Sequence, residues 1–233
     1  MQKTRVRSRS VRGPKPKGKV AIKWSSDFAY AIGLIATDGN LSSDGRHVLF
    51  TSKDREQIEN FLCALAINVP IGITVSGYSG LPADRVQFSD VRFYEFLNSI
   101  GIFKNKSKTI GKLAIPSQFF FSFLRGCFDG DGTIYSYWDK RWRSSFMFYI
   151  SFATASPDFM RWLREEIDAR LGVSGHVKKD GRGSTYQLTY AKKESLAVIQ
   201  KMYERHGCIC LTRKKLKIEK ILAIVGERLN ILT

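Results

Sequence analysis

Apolar residues along this chain alternate between a helical and a strand period, and the alternation happens twice. Trp24 to Thr37 is apolar at helical spacing, with Ser25 or Ser26 available as a cap and Asp27 in the first turn. Asn40–Ser43 and Arg46–Lys53 flank Asp44-Gly45 and predict a β-hairpin. Asp54 to Ala66 places Ile58, Phe61, Leu62 and Leu65 on one helical face. Ile71–Ser76 and Asp84–Ser89 predict a second hairpin around a glycine-rich turn at Gly77 to Pro82, and Val91 to Ile100 a third helix. After a connector, Phe103 to Ser117, the order returns. Phe119–Phe128 reads as a helix, Thr133–Asp139 and Ser145–Thr154 as strands, and Pro157–Leu171 as a helix opened by Ser156 and Pro157. Ser174–Lys179 and Ser184–Tyr190 form a hairpin across Asp180-Gly181, followed by helices over Glu194–His206 and Leu216–Val225.

The strands have two faces. Phe146, Phe148, Ile150 and Phe152 alternate with Met147, Tyr149, Ser151 and Ala153. Tyr186, Leu188 and Tyr190 alternate with Thr185, Gln187 and Thr189, and Val86 and Phe88 with Arg85 and Gln87. This is the pattern of antiparallel sheets with helices on one side. The fold class is therefore α+β, an internal duplication of αββαββα halves, with boundaries expected at 24–102 and 118–233, a linker at 103–117 and a tail at 1–23.

Two stretches carry the chemistry. Ala31–Leu41, AIGLIATDGNL, and Leu124–Ile134, LRGCFDGDGTI, each end an apolar helix in Asp-Gly. Gly33 and Gly126 lie five residues before Asp38 and Asp131, and Gly39 and Gly132 directly follow them. A glycine there is expected to stop the helix by entering the left-handed region. Each carboxylate sits where the helix already carries partial negative charge. If the two ends meet across the small residues Ala31, Gly33, Gly126 and Gly130, the acids cannot both ionise without a neutralising cation. A hard ion such as Mg²⁺ binds through one or two carboxylates, waters and substrate phosphates.

Charge supports a polyanionic partner. The chain of 233 residues has net charge +17 and a pI near 9.9, a footprint of nucleic-acid binding that membrane-surface or ribosome association would also fit. Residues 1–23 hold nine Lys or Arg and no acid; removing them leaves +8, so the rest is basic too. No apolar run reaches 18 residues and no secretory leader is present, so no membrane partner is expected, and the cytoplasm or an organellar matrix is the expected location. Four scattered cysteines fit reduced thiols. With one C-x-C pair, three histidines and no P-loop, a zinc site, a Ser-His-Asp site and a nucleotide site are not supported. The chain neither starts on a Cys or Ser nucleophile nor ends in His-Asn, so an intein is a weak reading.

The residues AIGLIATDG (Ala31–Gly39) and LRGCFDGDG (Leu124–Gly132) resemble the paired signature of LAGLIDADG homing endonucleases in their single-chain form. The second copy, continued by Thr133-Ile134, is closer to the consensus. The first has Ala36 and Thr37 where Asp and Ala are usual, positions that do not include the family's essential acid. The resemblance implies two halves forming a saddle on double-stranded DNA, with the motif helices packed at the centre of a monomer. It implies that Asp38 and Asp131 are catalytic acids binding Mg²⁺ or Mn²⁺, helped by the backbone carbonyls of Thr37 and Gly130. Ca²⁺ would occupy such a site without supporting cleavage. Each acid would serve one strand of a staggered double-strand cut. By position after the third helix of each half, Lys106 or Lys108 and Arg213 or Lys214 are candidates for basic catalytic residues. DNA contacts are expected from Asn40, Arg46, Lys53, Arg85, Gln87, Thr133, Tyr135, Tyr137, Arg141, Arg143, Tyr149, Ser151, Lys178, Lys179, Arg182 and Gln187. Two other readings use the same fold: an intron RNA maturase, marked by affinity for its intron RNA, and a non-catalytic DNA-binding regulator. Loss of the motif acids is common in such regulators, and both are kept here.

Overall fold

The computed structural model describes residues 18–75, 80–142, 144–181 and 183–231. Arg143, Arg182 and most of the glycine-rich turn after Val75 lie outside them, as do residues 1–17 of the basic tail. The first half runs α1 (Ser26–Asp38), β1 (Gly39–Leu41), β2 (His47–Ser52), α2 (Arg55–Leu65), β3 (Gly72–Val75), β4 (Pro82–Ser89) and α3 (Val91–Ser99). The second runs α4 (Phe120–Asp131), β5 (Gly132–Trp138), β6 (Phe146–Thr154), α5 (Pro157–Leu171), β7 (His176–Lys179), β8 (Tyr186–Ala191) and α6 (Lys192–Met202), followed by α7 (Thr212–Ile224).

Each half has a four-stranded antiparallel sheet, in the order β1-β2-β4-β3 and β5-β6-β8-β7. One face of each carries the apolar set. Val48, Phe50, Val86 and Phe88 are buried in the first, and Phe146, Phe148, Ile150 and Phe152 in the second. Full burial of such a side chain contributes about 1.5–3 kcal/mol, so these rows hold each sheet against its helices. Side-chain caps set the helix starts. Ser25 Oγ accepts from Phe28 N at 3.0 Å, Asp90 Oδ1 from Phe93 N at 3.0 Å, and Ser156 Oγ from Phe159 N at 3.4 Å. Asp90 also takes the backbone N–H groups of Lys19 and Val20, so residues 18–23 are tied to the first half and Val20 is buried.

The motif helices α1 and α4 make the most extensive helix–helix contact among the described residues. Glycine permits it. A methyl on Gly33 would stand 2.1 Å from the Phe123 carbonyl oxygen, and one on Gly126 2.1 Å from the Tyr30 carbonyl oxygen. The glycines that close the motifs act differently from expectation. Gly39 (φ −74°, ψ 153°) and Gly132 (φ −86°, ψ 155°) are extended, not left-handed. They are needed for space: a Cβ at Gly39 would meet Ile35 Cα at 2.7 Å, and one at Gly132 would meet Phe128 Cα at 2.6 Å. The chain therefore leaves each helix directly into a strand, without a turn between acid and sheet.

Candidate functional site

Asp38 and Asp131 are the last residues of α1 and α4, and the crossing at Gly33 and Gly126 brings these ends together. Gly130 completes the approach, since a Cβ there would lie 2.1 Å from Thr37 Oγ1 and 2.8 Å from Asp38 Oδ2. Burial, then the Asp131 charge, pushes the Asp38 carboxyl up to about 6. Asp131 is open to solvent at the rim, yet surrounding protein crowds it enough that desolvation raises its carboxyl too. Gln57 Nε2, Lys106 and Lys214 favour the ionised form of Asp38, and both lysines favour that of Asp131.

Both lysines cap helix ends. Lys106, on a short 3₁₀ turn (Lys106–Lys108), is buried, and its Nζ donates to the Thr37 carbonyl at 3.1 Å. Lys214, in the first turn of α7, donates to the carbonyls of Phe128, Asp129 and Gly132 at 2.5, 3.0 and 2.7 Å, passing over Gly130 between them. A cation at a helix C-terminus is electrostatically favoured. Desolvation lowers each ammonium to about 8 against the pull of the acids.

The structure separates the two lysines from their neighbours in sequence. Lys108 points into solvent. Arg213 is exposed and pairs with Asp54 Oδ2 at 2.7 Å. The reason is that α7 begins at Thr212 rather than Leu216, fixed by Thr212 N to Glu56 Oε1 at 2.9 Å. Helical geometry then turns positions 213 and 214 to different sides.

Three further residues complete the site, and none is among the expected site residues. Gln57, inside α2, donates to Asp38 Oδ2 at 3.1 Å and to the Asp129 carbonyl at 3.3 Å, and its Oε1 accepts from Ser52 Oγ at 2.6 Å. Asp129, buried, accepts from Tyr30 Oη at 2.8 Å and from Leu211 N at 2.7 Å. Arg125, also buried, donates to the carbonyls of Met202 and Ile209. Burial of Asp129 and Arg125 within a repeated motif becomes visible only once the helices are packed.

The acids offer hard oxygen donors only, and no group of three or more His, Cys, Asp or Glu side chains suited to a metal occurs among the described residues. The raising of the Asp38 carboxyl by burial and by the Asp131 charge is what a divalent cation between the two acids would relieve, so the donor set fits such an ion completed by water and phosphate oxygens. The Thr37 carbonyl already accepts from Lys106.

The expected DNA contacts map unevenly. Register aligns Asn40, Leu49 and Gln87 across the outer face of the first sheet, with Thr51 beside Arg85. Arg46 and Lys53 flank β2, both exposed, and Arg46 pairs with Asp44. On the second sheet Thr133 faces Ser151 and Tyr135 faces Tyr149. The Tyr149 ring stacks with those of Tyr135 at 5.1 Å and Tyr137 at 6.0 Å. Gln187 is exposed and donates to Ser151 Oγ at 3.2 Å, covering Ser151, which is buried. Lys178 lies opposite Gln187, whereas Lys179 lies opposite Tyr186, over its ring and on the other face. Arg141 is exposed beside Asp139.

Residues 119–207 match the family model described as a LAGLIDADG-like domain. A search of curated proteins finds no match. Among solved structures, the homing endonuclease I-WcaI bound to its DNA recognition sequence is similar with a TM-score of 0.58 and 14% identity, over 83% of this chain and 86% of that one. I-DmoI in complex with DNA and Ca gives 0.51 and 14%, over 78% and 91%. Full-length DUF199/WhiA from Thermatoga maritima gives 0.55 and 15% over 88% of this chain, which spans 63% of that one. At these identities the likeness establishes the fold.

Proposed function

We propose that this chain, which matches a LAGLIDADG-like domain over residues 119–207 and has the LAGLIDADG fold, is a site-specific, divalent-metal-dependent DNA endonuclease. One observation carries the reading: two acids, each ending a helix that crosses the other through glycine, meet between two buried lysines. DUF199/WhiA shares the fold, so this pair of acids, rather than the fold, argues for cutting. Both acids come from one chain, and a monomer suffices.

Asp38 and Asp131 would hold Mg²⁺ or Mn²⁺, each acid serving one strand. A metal there polarises the scissile phosphate and lowers the pKa of bound water. Gln57 fixes the Asp38 carboxylate through its Nε2. Lys106 and Lys214 keep positive charge where the phosphate gains negative charge. The outer sheet faces lie along the duplex, with basic residues on phosphates and Gln87, Gln187 and the tyrosines on base edges.

The test is incubation of purified protein with Mg²⁺ and a randomised duplex library, beside an Asp38→Asn/Asp131→Asn double variant. Wild type is expected to cut at one sequence in both strands and the variant to bind without cutting. Tight binding by both without any cut overturns the nuclease. Preferential binding of intron RNA would then favour the maturase, and binding of duplex DNA alone the regulator.

A further inference from the structure

Away from the acids, α6 and α7 are joined by a loop whose cysteines the reaction leaves unused. Cys208 and Cys210 are half-buried and line one surface pocket of about 420 Å³, together with Glu56, Asn60, Lys215 and Glu219. The neighbouring Cys210 thiol, then the charges of Arg125 and Lys215, favour the Cys208 thiolate and pull Cys208 down to about 6. Residues two apart have Cα atoms at most about 7 Å apart, and a disulfide needs about 4.4–6.8 Å. A low-pKa, accessible thiol with a second thiol beside it is the arrangement of a reactive pair.

The loop is wired to the acidic centre. Arg125 Nε donates to the Ile209 carbonyl at 2.9 Å, and Asn60 Nδ2 to the Cys210 carbonyl at 3.0 Å. Leu211 N donates to Asp129 Oδ2 at 2.7 Å, and Thr212 then starts the helix that presents Lys214. Arg125 Nη2 is buried with no hydrogen-bond partner among the described residues, so the guanidinium holds the loop through Nε at Ile209 and the end of α6 through Nη1 at Met202.

We propose that Cys208 and Cys210 form a dithiol that peroxide closes to a disulfide, and that closure displaces Lys214 from the end of α4. The Cys208 thiolate attacks one peroxide oxygen. An S–O bond forms, the O–O bond breaks, and the hydroxide released takes a proton to become water. The Cys210 sulfur then attacks the sulfenic sulfur, the S–S bond forms and the S–O bond breaks, and the departing hydroxide leaves as water with the Cys210 proton. Two thiols and one hydrogen peroxide give one disulfide and two waters, with two electrons passing from sulfur to oxygen. Closing the ring re-aims the peptides of Ile209 and Cys210, and with them the Arg125 and Asn60 anchors.

The effect on cutting rests on the nuclease reading; the disulfide itself does not. The full chain carrying Cys63→Ser, which removes an exposed thiol, is treated with hydrogen peroxide and digested. The peptide holding both cysteines is expected to lose about two mass units. Amide hydrogen exchange over residues 212–215 is expected to accelerate, and cutting to slow by roughly tenfold until dithiothreitol restores it. Adding Cys208→Ser or Cys210→Ser should abolish all three responses. Absence of the disulfide overturns the proposal, and a disulfide with unchanged exchange overturns the coupling. If the reduced protein never cuts, the nuclease reading fails on that result alone, while mass and exchange still decide the thiol pair.

Discussion

The two halves share one topology and solve the same local problem differently. In the first, the end of α1 is closed by one lysine hydrogen bond, Lys106 to Thr37, and by Gln57 on Asp38. In the second, Lys214 gathers three carbonyls around the end of α4, and Asp129 ties that helix to Tyr30 and to the start of α7. Ala36 stands where the second copy has Asp129. The sheets differ as well: β1 has three residues, whereas β5 has seven and carries the stacked tyrosines. A repeat can thus keep an acid at the end of each motif helix while the supports beneath the acids diverge, one half leaning on a side-chain amide and the other on a buried polar network.

The largest test removes the acids one at a time. If they are equivalent, Asp38→Asn and Asp131→Asn each cut double-strand cleavage by roughly a thousandfold, the several kcal/mol a metal-bound acid supplies, and each spares a different strand. Mapping the residual nicks checks this; nicks on the same strand for both variants would break the equivalence. Next comes the seam. Gly126→Ala drives a methyl into the Tyr30 carbonyl and should destabilise the fold by about 3 kcal/mol or more, read from urea denaturation, with Gly33→Ala comparable.

The lysines should separate the halves. Lys214→Met abandons three carbonyls and is expected to cost about 2–3 kcal/mol, against about 1 kcal/mol for Lys106→Met. Equal losses in thermal melts would mean that the hydrogen-bond difference has no energetic weight. The pH dependence is smaller and has a defined sign. Asp38 in the folded apoprotein titrates near 6, above the unfolded value, so folding takes up a proton between about 4 and 6 and its contribution to stability falls as pH rises through that window. Asp38→Asn should therefore stabilise the metal-free protein at pH 7 by about 1–2 kcal/mol. Mg²⁺ affinity, followed by calorimetry, should fall as pH drops below about 6, because the ion competes with that proton. The smallest effect is on the sheet: Tyr135→Ala should weaken DNA binding by roughly fivefold, about 1 kcal/mol, and Gln87→Ala should do so on the opposite half-site.

Much of this arrangement is legible in the residues. Pro157–Leu171 is legible because Ser156 and Pro157 announce its start, and in the structure Gly172, left-handed at φ 63°, closes it. The acids and the glycine seam are legible because they repeat. The choice between Lys106 and Lys108, or between Lys214 and Arg213, is not, since it depends on where a 3₁₀ turn and α7 begin, and tertiary contacts from Glu56 and Asp129 set the latter. Gln57 is invisible for a related reason: a polar residue on an amphipathic helix looks the same whether it meets water or a carboxylate. Strand alternation places Lys178 and Lys179 on opposite faces, a consequence of register that a count of basic residues overlooks.

The lysine caps also bear on how the molecule is made. Lys106 is supplied 69 residues after the Thr37 carbonyl it binds, and Lys214 82 residues after Gly132. On the ribosome, α1 emerges long before α4 exists to cover its glycine seam, and the second lysine follows only after the whole second sheet. A product terminated before α4 therefore has one acid, one bare seam and no assembled centre. On the nuclease reading, such fragments would be inert.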